Sequence, residues 1–189
     1  MSVTKETPGD EGLIKATLSG DDEAFTELVK RHKRKVFSMV ARYARNTYEL
    51  DDISQEIFIK VYQNLRKYRG DAPFEHWLSK ITINACYDEL RKRRREANNV
   101  PLENVAFSLR DHVSEEMPND KAWEILRHAL DKLPSDDRLV ITLLNLEEKS
   151  VSEISELTDW SEAKVKVRAF RARKELKRIL EDDNGKWFK

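Results

Sequence analysis

The chain has a single cysteine, Cys86, so it can form no internal disulfide, and a lone thiol fits a reducing compartment. Its four histidines, His32, His76, His112 and His128, share no spacing of the kind that builds a metal site. His32 falls on an apolar stripe, where a histidine is ordinarily a core residue. Glycine and proline are scarce, five of each in 189 residues. No Gly-rich phosphate loop and no nucleophile motif is present. These absences predict a protein that is not an enzyme and takes no cofactor and no small-molecule substrate. No apolar run approaches the ~18 residues of a membrane span, which argues against insertion in a bilayer. The first residues, MSVTKETPGD, lack the basic and apolar stretches of a secretory signal. The expected location is the cytoplasm. Alternating runs of Val, Ile and Thr are missing too, which disfavours a sheet.

Charge is abundant. Lys and Arg total 35, Asp and Glu total 35, and together they make 37% of the chain, against about 25% for an average domain. A net charge of zero argues against nucleic acid only if the charge is spread evenly, and it is not. Residues 161–178 carry eight basic and two acidic side chains, whereas residues 118–160 carry five and ten. A second basic run is Arg91-Lys92-Arg93-Arg94-Arg95. Such asymmetry says more than the total, although one basic helix face alone is often merely solvated.

Helical periodicity dominates. A short helix is expected near Leu13–Leu18, behind a disordered terminus over residues 1–10. From Asp21, the positions Phe25, Leu28, Val29, His32, Val36, Phe37, Val40 and Ala44 form one stripe behind acids suited to a helix start. The next helix, about Glu49–Lys67, turns Leu50, Ile53, Ile57, Val61 and Leu65 inward. Arg69-Gly70-Asp71-Ala72-Pro73 breaks the chain before a third helix, about Phe74–Arg94. Residues 97–117 have no clean period and contain four acids and Pro101, which predicts a flexible linker between two domains. The expected fold is therefore all-α. A helical domain over 11–96 and a second over 118–182 are joined by an acidic linker over 97–117, and a tail covers 183–189.

In the second domain Trp123, Leu126, Leu130 and Leu133 form one stripe, and Pro134 ends that helix. Ser135 is placed to cap a helix over about Asp136–Leu146. A short helix, Val151–Leu157 with Ser150 or Ser152 as cap, is followed by a three-residue break and a long helix from Ser161 to about Leu180. That is the pattern of a helix-turn-helix. At about 100° per residue, Val165, Ala169, Ala172, Leu176 and Leu180 fall on the core side of the long helix. Ala163, Val167, Phe170, Arg171, Lys174 and Arg178 point away, flanked by Lys164, Lys166, Arg168 and Arg173. Ser161 and Glu162 stand at the end that enters the major groove first. Cations around an exposed face suit the phosphates lining a groove, and an outward Phe170 beside Val167 suits thymine methyls.

These residues carry a resemblance. Ser152-Glu153-Ile154-Ser155-Glu156-Leu157, with Val165 to Leu176, resembles the promoter-reading domain of bacterial sigma factors. Tyr48 to Tyr62 resembles their polymerase-binding helix. Arg69-Gly70-Asp71, Phe74, Trp77-Leu78, Ile83-Asn84-Ala85 and the basic run resemble the adjoining helix. The two-domain form is similar to the extracytoplasmic-function group of the sigma-70 family. The chain departs from the family at Asp159, where a Gly often forms the bend, at Trp160, and at Lys164. Asp tolerates a left-handed backbone better than most residues.

The resemblance implies a protein that binds RNA polymerase core, on a coiled coil of its largest subunit and on its flap, and directs it to promoter DNA. It implies responses to stress under an anti-sigma factor. Asp51, Asp52, Gln55 and Glu56 lie off the inner stripe and match the core-binding face, with Phe58, Ile59 and Tyr62 as an apolar anchor. Arg69, Asp71, Phe74, Trp77, Asn84, Tyr87, Arg91 and Arg94 match the part that opens and reads the −10 element, where stacking and a cationic track trap a strand. Phe74 and Trp77 have a plain core role as the alternative. Ser161, Glu162, Lys164, Lys166, Val167, Phe170, Arg171, Arg173 and Lys174 match the −35 surface. The linker acids Glu103, Asp111, Glu115 and Glu116 either follow the RNA exit path or are simply solvated. The rival reading is a helix-turn-helix regulator whose N-terminal domain receives a signal or a partner.

Overall fold

The computed structural model describes residues 8–99 and 121–187. Eight α-helices and no strand are found among them: α1 (Asp10–Leu18), α2 (Asp22–Ala41), α3 (Thr47–Asn64), α4 (Phe74–Asn99), α5 (Lys121–Lys132), α6 (Ser135–Asn145), α7 (Val151–Thr158) and α8 (Glu162–Trp187). A 3-10 turn, Leu65–Lys67, extends α3. Among the described residues no helix is long and apolar enough to cross a membrane.

Side-chain caps start several helices. Asp21 accepts from the amides of Glu23 and Ala24, at 3.0 and 3.1 Å, and so opens α2. Asn46 accepts from Glu49 at 2.9 Å to open α3. At α7 it is Ser150, and not Ser152, that caps, in a reciprocal box with Glu153. Those two hydrogen bonds from Ser150 hold the Glu153 carboxyl below the usual carboxylate range. Gly70, with φ of 78°, supplies the left-handed backbone between α3 and α4.

Several boundaries differ from expectation. The disorder expected over residues 1–10 does not extend to the last of them. Asp10 begins α1, and its carboxylate receives Arg31 at 2.7 Å and His32 at 2.9 Å, which staples α1 onto α2. Residues 1–7 lie outside the described part. Helix α4 runs on to Asn99, three residues into the expected linker, because nothing from 95 to 99 breaks it. The rest of that linker lies outside the described residues, with Glu103, Asp111, Glu115 and Glu116. Helix α8 continues to Trp187 through most of the expected tail. Ser135 does not cap α6: its hydroxyl donates to the Leu90 carbonyl of α4 at 3.1 Å.

The stripe residues read from α2 and α3 fill the N-terminal core. Leu28, His32, Val36, Val40 and Ala44 are buried against Leu50, Ile53, Ile57, Val61 and Leu65. Leu78, Ile83, Cys86 and Leu90 close it from α4. In the C-terminal half, Ala129, Leu130 and Leu133 of α5 meet Ile141 of α6 and Ala172 and Ile179 of α8.

The two halves also pack on each other. Helix α4 lies against α6 and α7, and one apolar cluster runs from Leu13 through Cys86 to Leu139, Leu143, Ile154 and Ala169. Helix α6 is the central element. Every residue from Asp137 to Leu143 is buried, as expected of a helix enclosed on all sides.

Candidate nucleic-acid interface

Helices α7 and α8 build the most exposed candidate surface. The bend between them is Asp159, whose φ of 57° is left-handed, so the acid stands where the turn needs a glycine-like backbone. Ser161 then accepts from the amide of Lys164 at 3.2 Å and starts α8. Val165, Ala169 and Ala172 are buried, and Leu176 and Leu180 are half-buried, so the core side is the one the projection places there. On the opposite side Val167 is 49% and Phe170 is 70% exposed. Lys166, Arg171, Arg173 and Lys174 are exposed around them.

The basic residues of α8 are not equivalent. Arg168, expected among the flanking cations, is bound to α6 instead, to Asp136 at 2.9 Å and to Asp137 at 3.2 Å. Arg178 bridges Glu175 and Asp182, which raises its own pKa and lowers that of Glu175. Lys166 pairs with Glu162 at 3.1 Å, and the Lys164 ammonium lies 3.4 Å from the Trp160 ring centre. Arg171, Arg173 and Lys174 have no ion-pair partner among the described residues, which leaves their charge available to phosphate.

The residues matched to the −10 element divide into two groups. Phe74 is 4% exposed, in edge contact with His32 and Tyr68, and presents no face on which a base can stack; the core alternative holds for it. Trp77 is half-buried in the same aromatic group. Arg69, Asp71, Asn84, Arg91 and Arg94 are exposed. Arg93, within the basic run, is buried and bound to Glu49 at 2.9 Å, Glu89 at 3.1 Å and the Tyr43 carbonyl at 2.8 Å, so it ties α4 to α2 and α3 and carries no free charge. Tyr87 is half-buried: its hydroxyl donates to Asp136 at 2.7 Å, and burial with that carboxylate pushes its pKa up to about 12.

On α3, Asp51, Asp52, Gln55 and Glu56 all face solvent, with Glu56 paired to Lys60 at 2.8 Å. Ile59 and Tyr62 are half-exposed beside them, while Phe58 packs on the core and contributes little free surface. Tyr62 meets Phe25 edge-on, with ring centres 4.9 Å apart. Tyr48, absent from the expected site residues, is 75% exposed. It stands three and four residues before Asp51 and Asp52, on the same helical face, and that spacing was its signal in the sequence. A further surface lies between α5, α6 and α8: an apolar groove of about 440 Å³ lined by Leu126, Leu130, Leu146, Leu176 and Leu180, with Arg173 and Lys177 at its edge.

Two protein families match the chain, Sigma-70 region 2 over residues 28–96 and Sigma-70, region 4 over residues 123–176. The ECF RNA polymerase sigma-E factor of Haemophilus influenzae is 32% identical over 181 residues, covering 91% of this chain and 95% of that protein. The structure of CnrH in complex with the cytosolic domain of CnrY is similar at 25% identity and a TM-score of 0.61, over 92% of this chain and 98% of that one. The sigma factor RpoE of Bartonella quintana, solved with the anti-sigma factor NepR, shares the fold, with 22% identity, a TM-score of 0.60, and coverage of 84% and 98%. With both regions present in order, and similarity to a sigma-E factor along nine-tenths of its length, the protein belongs to the extracytoplasmic-function sigma factors of the sigma-70 family.

Proposed function

We propose that this sigma factor binds RNA polymerase core through the outward face of α3 and reads promoters with two separate surfaces. Asp51, Asp52, Gln55 and Glu56 supply the charged rim of the core-binding face, and Tyr48, Ile59 and Tyr62 its apolar anchors. The loop at Arg69 and Asp71, with Trp77, Asn84, Tyr87, Arg91 and Arg94, handles the −10 element. On α8, Ser161, Glu162, Lys164, Lys166, Val167, Phe170, Arg171, Arg173 and Lys174 dock on the −35 element. The protein performs no bond chemistry itself; it positions the polymerase, and it works in the cytoplasm, where polymerase and promoter are. The groove between α5, α6 and α8 suits an amphipathic helix, from the polymerase flap or from an anti-sigma factor. Anti-sigma control fits the solved relatives, which were captured with a second protein.

The observation that carries this reading is the outward Val167–Phe170 pair, set among unpaired cations on a helix-turn-helix, in one chain with an acidic, aromatic-flanked α3. The test is transcription in vitro with purified core polymerase on a library of randomised promoters. Enrichment of templates with two elements, seen only when the protein and core are both present, is the expected result. Specific DNA binding by the chain alone, with no effect on initiation, would establish the helix-turn-helix regulator instead.

A further inference from the structure

The two promoter-reading surfaces are not equally accessible. The outward side of α8 is open, whereas α4 is covered by the C-terminal half along the side that carries Lys80, Tyr87 and Leu90. The Lys80 ammonium lies 2.6 Å from the Asp159 carboxylate in the bend of the helix-turn-helix. The Tyr87 hydroxyl donates to Asp136, and its ring meets Trp160 edge-on at 5.6 Å between centres. The Ser135 hydroxyl reaches the Leu90 carbonyl. Farther along, Arg42 pairs with Glu147, and the Arg127 guanidinium donates to the Arg45 carbonyl at 2.7 Å. All of these contacts join the half that matches region 2 to the half that matches region 4.

We propose that this seam is an intramolecular latch: region 4 closes over α4 of its own chain and keeps the free protein from engaging a whole promoter. The proposal rests on the assignment of α4 and α8 to the two promoter elements. Its first support is distance. The −10 and −35 elements are named for positions about 25 base pairs apart, which at 3.4 Å each is roughly 85 Å of duplex. A compact chain of 189 residues has a radius of gyration of about 16 Å and is some 40 Å across. The closed protein can therefore touch one element but not both. The 21 residues between Asn99 and Lys121 extend to about 75 Å at most, so once the seam opens the two halves can take separate sites.

The second support is the chemistry of the seam. Salt bridges and side-chain hydrogen bonds edge it, and solvent can replace such contacts when the halves part, as in interfaces that exchange partners. A permanent core is apolar throughout. The third support is Asp159. At a left-handed bend Gly or Asn serves as well for the backbone. The carboxylate adds something those residues lack, an anion on Lys80, which stands on the helix that carries the −10 surface. Asp159 thus occupies a cation on α4 that is otherwise free to meet a phosphate.

The test uses the full-length chain with dyes on cysteines placed at exposed Gln63 and Lys177; the native Cys86 is buried and stays unlabelled. Energy transfer then reports closure with no DNA or polymerase present. The free protein is expected to show efficient transfer. Lys80→Glu with Trp160→Ala should lose it, and so should the unsubstituted seam on addition of core polymerase. Asp159→Asn, which keeps the backbone tolerance and removes the charge, should give a partial loss. Circular dichroism of each variant separates opening from unfolding. Weak transfer in the free, folded protein would overturn the latch, and so would folded Lys80→Glu/Trp160→Ala protein that transfers as well as its parent. Failure of the transcription assay with a chain that still closes and opens would refute the promoter reading while leaving the closure itself standing.

Discussion

Phe170 offers the sharpest test of the −35 surface because the fold does not need it. A phenylalanine side chain buries roughly 150–250 Å², so one that is 70% exposed leaves about 140 Å² for a partner. At about 25 cal/mol per Å², complete coverage by DNA is worth at most ~3.5 kcal/mol. A groove covers one face and one edge, so about half of that is realised, ~1.5–2 kcal/mol, or a ten- to thirtyfold effect. Phe170→Ala should therefore reduce initiation by that factor on a promoter selected with the wild-type holoenzyme. The change in folding stability should stay within about 0.5 kcal/mol, as for other exposed positions. Arg171→Glu should act on the same step, with a loss that grows as salt is lowered. The assay is single-round transcription beside a core-polymerase pull-down, with a urea melt as control. If Phe170→Ala initiates normally at limiting holoenzyme, the outward face of α8 does not meet the −35 element, and the helix-turn-helix engages DNA another way or not at all.

Asp52→Arg should weaken binding of core polymerase about five- to thirtyfold, since reversing a rim charge both removes an attraction of up to ~1 kcal/mol and adds a repulsion of similar size; co-purification with core at wild-type yield would contradict the α3 assignment. Burial pushes the Cys86 thiol up to about 12, against 9.0 for the free group. Between these values the unfolded chain has lost the proton that the folded chain keeps, so stability should fall as pH rises above 9, by about 1.4 kcal/mol per unit. Urea midpoints across that range should decline less steeply in Cys86→Ala, whose offset from the cavity is independent of pH, and equal slopes would refute the burial argument.

The helices were legible because their apolar stripes are regular. Leu50, Ile53, Ile57 and Val61 recur at three and four residues, and all four are buried. The helix-turn-helix was legible for the same reason, and its capping serine is one of the two expected. What sequence could not supply is the partner of each buried face. Periodicity shows that a face is covered, not by what, and so the packing of α4 on α6 and α7 was invisible. One signal was there to be read: Leu139-Val140-Ile141-Thr142-Leu143-Leu144 is apolar on every side of a helix, and such a helix must be enclosed. Charge failed in a related way. Arg93 and Arg168 belong to basic runs that read as DNA-facing, yet both are spent on carboxylates from other helices. A local run gives the sign of the charge, and only the fold says which cations are already neutralised. Ser135 and Phe74 failed by the same logic, since each had a second partner available from a distant element and took it.

The neutral total can now be apportioned. Of the eight basic residues in 161–178, Lys166, Arg168, Lys177 and Arg178 hold carboxylates and Lys164 covers Trp160, so three remain unpaired: Arg171, Arg173 and Lys174. Affinity for bulk DNA scales with the number of phosphates neutralised, and a few contacts give only weak binding at physiological salt. On α4 the position is similar, because Arg93 is internal and Lys80 is held by Asp159. The chain thus carries the shape of a DNA reader with most of its charge satisfied by itself. Two changes raise its affinity without altering a residue. Parting the seam returns Lys80 to solvent, and docking on polymerase joins two weak sites into one strong one, because the second element is then met at high effective concentration. Neutrality is in this sense a working property: a more basic chain would gain affinity for any DNA and lose the dependence of promoter recognition on the polymerase.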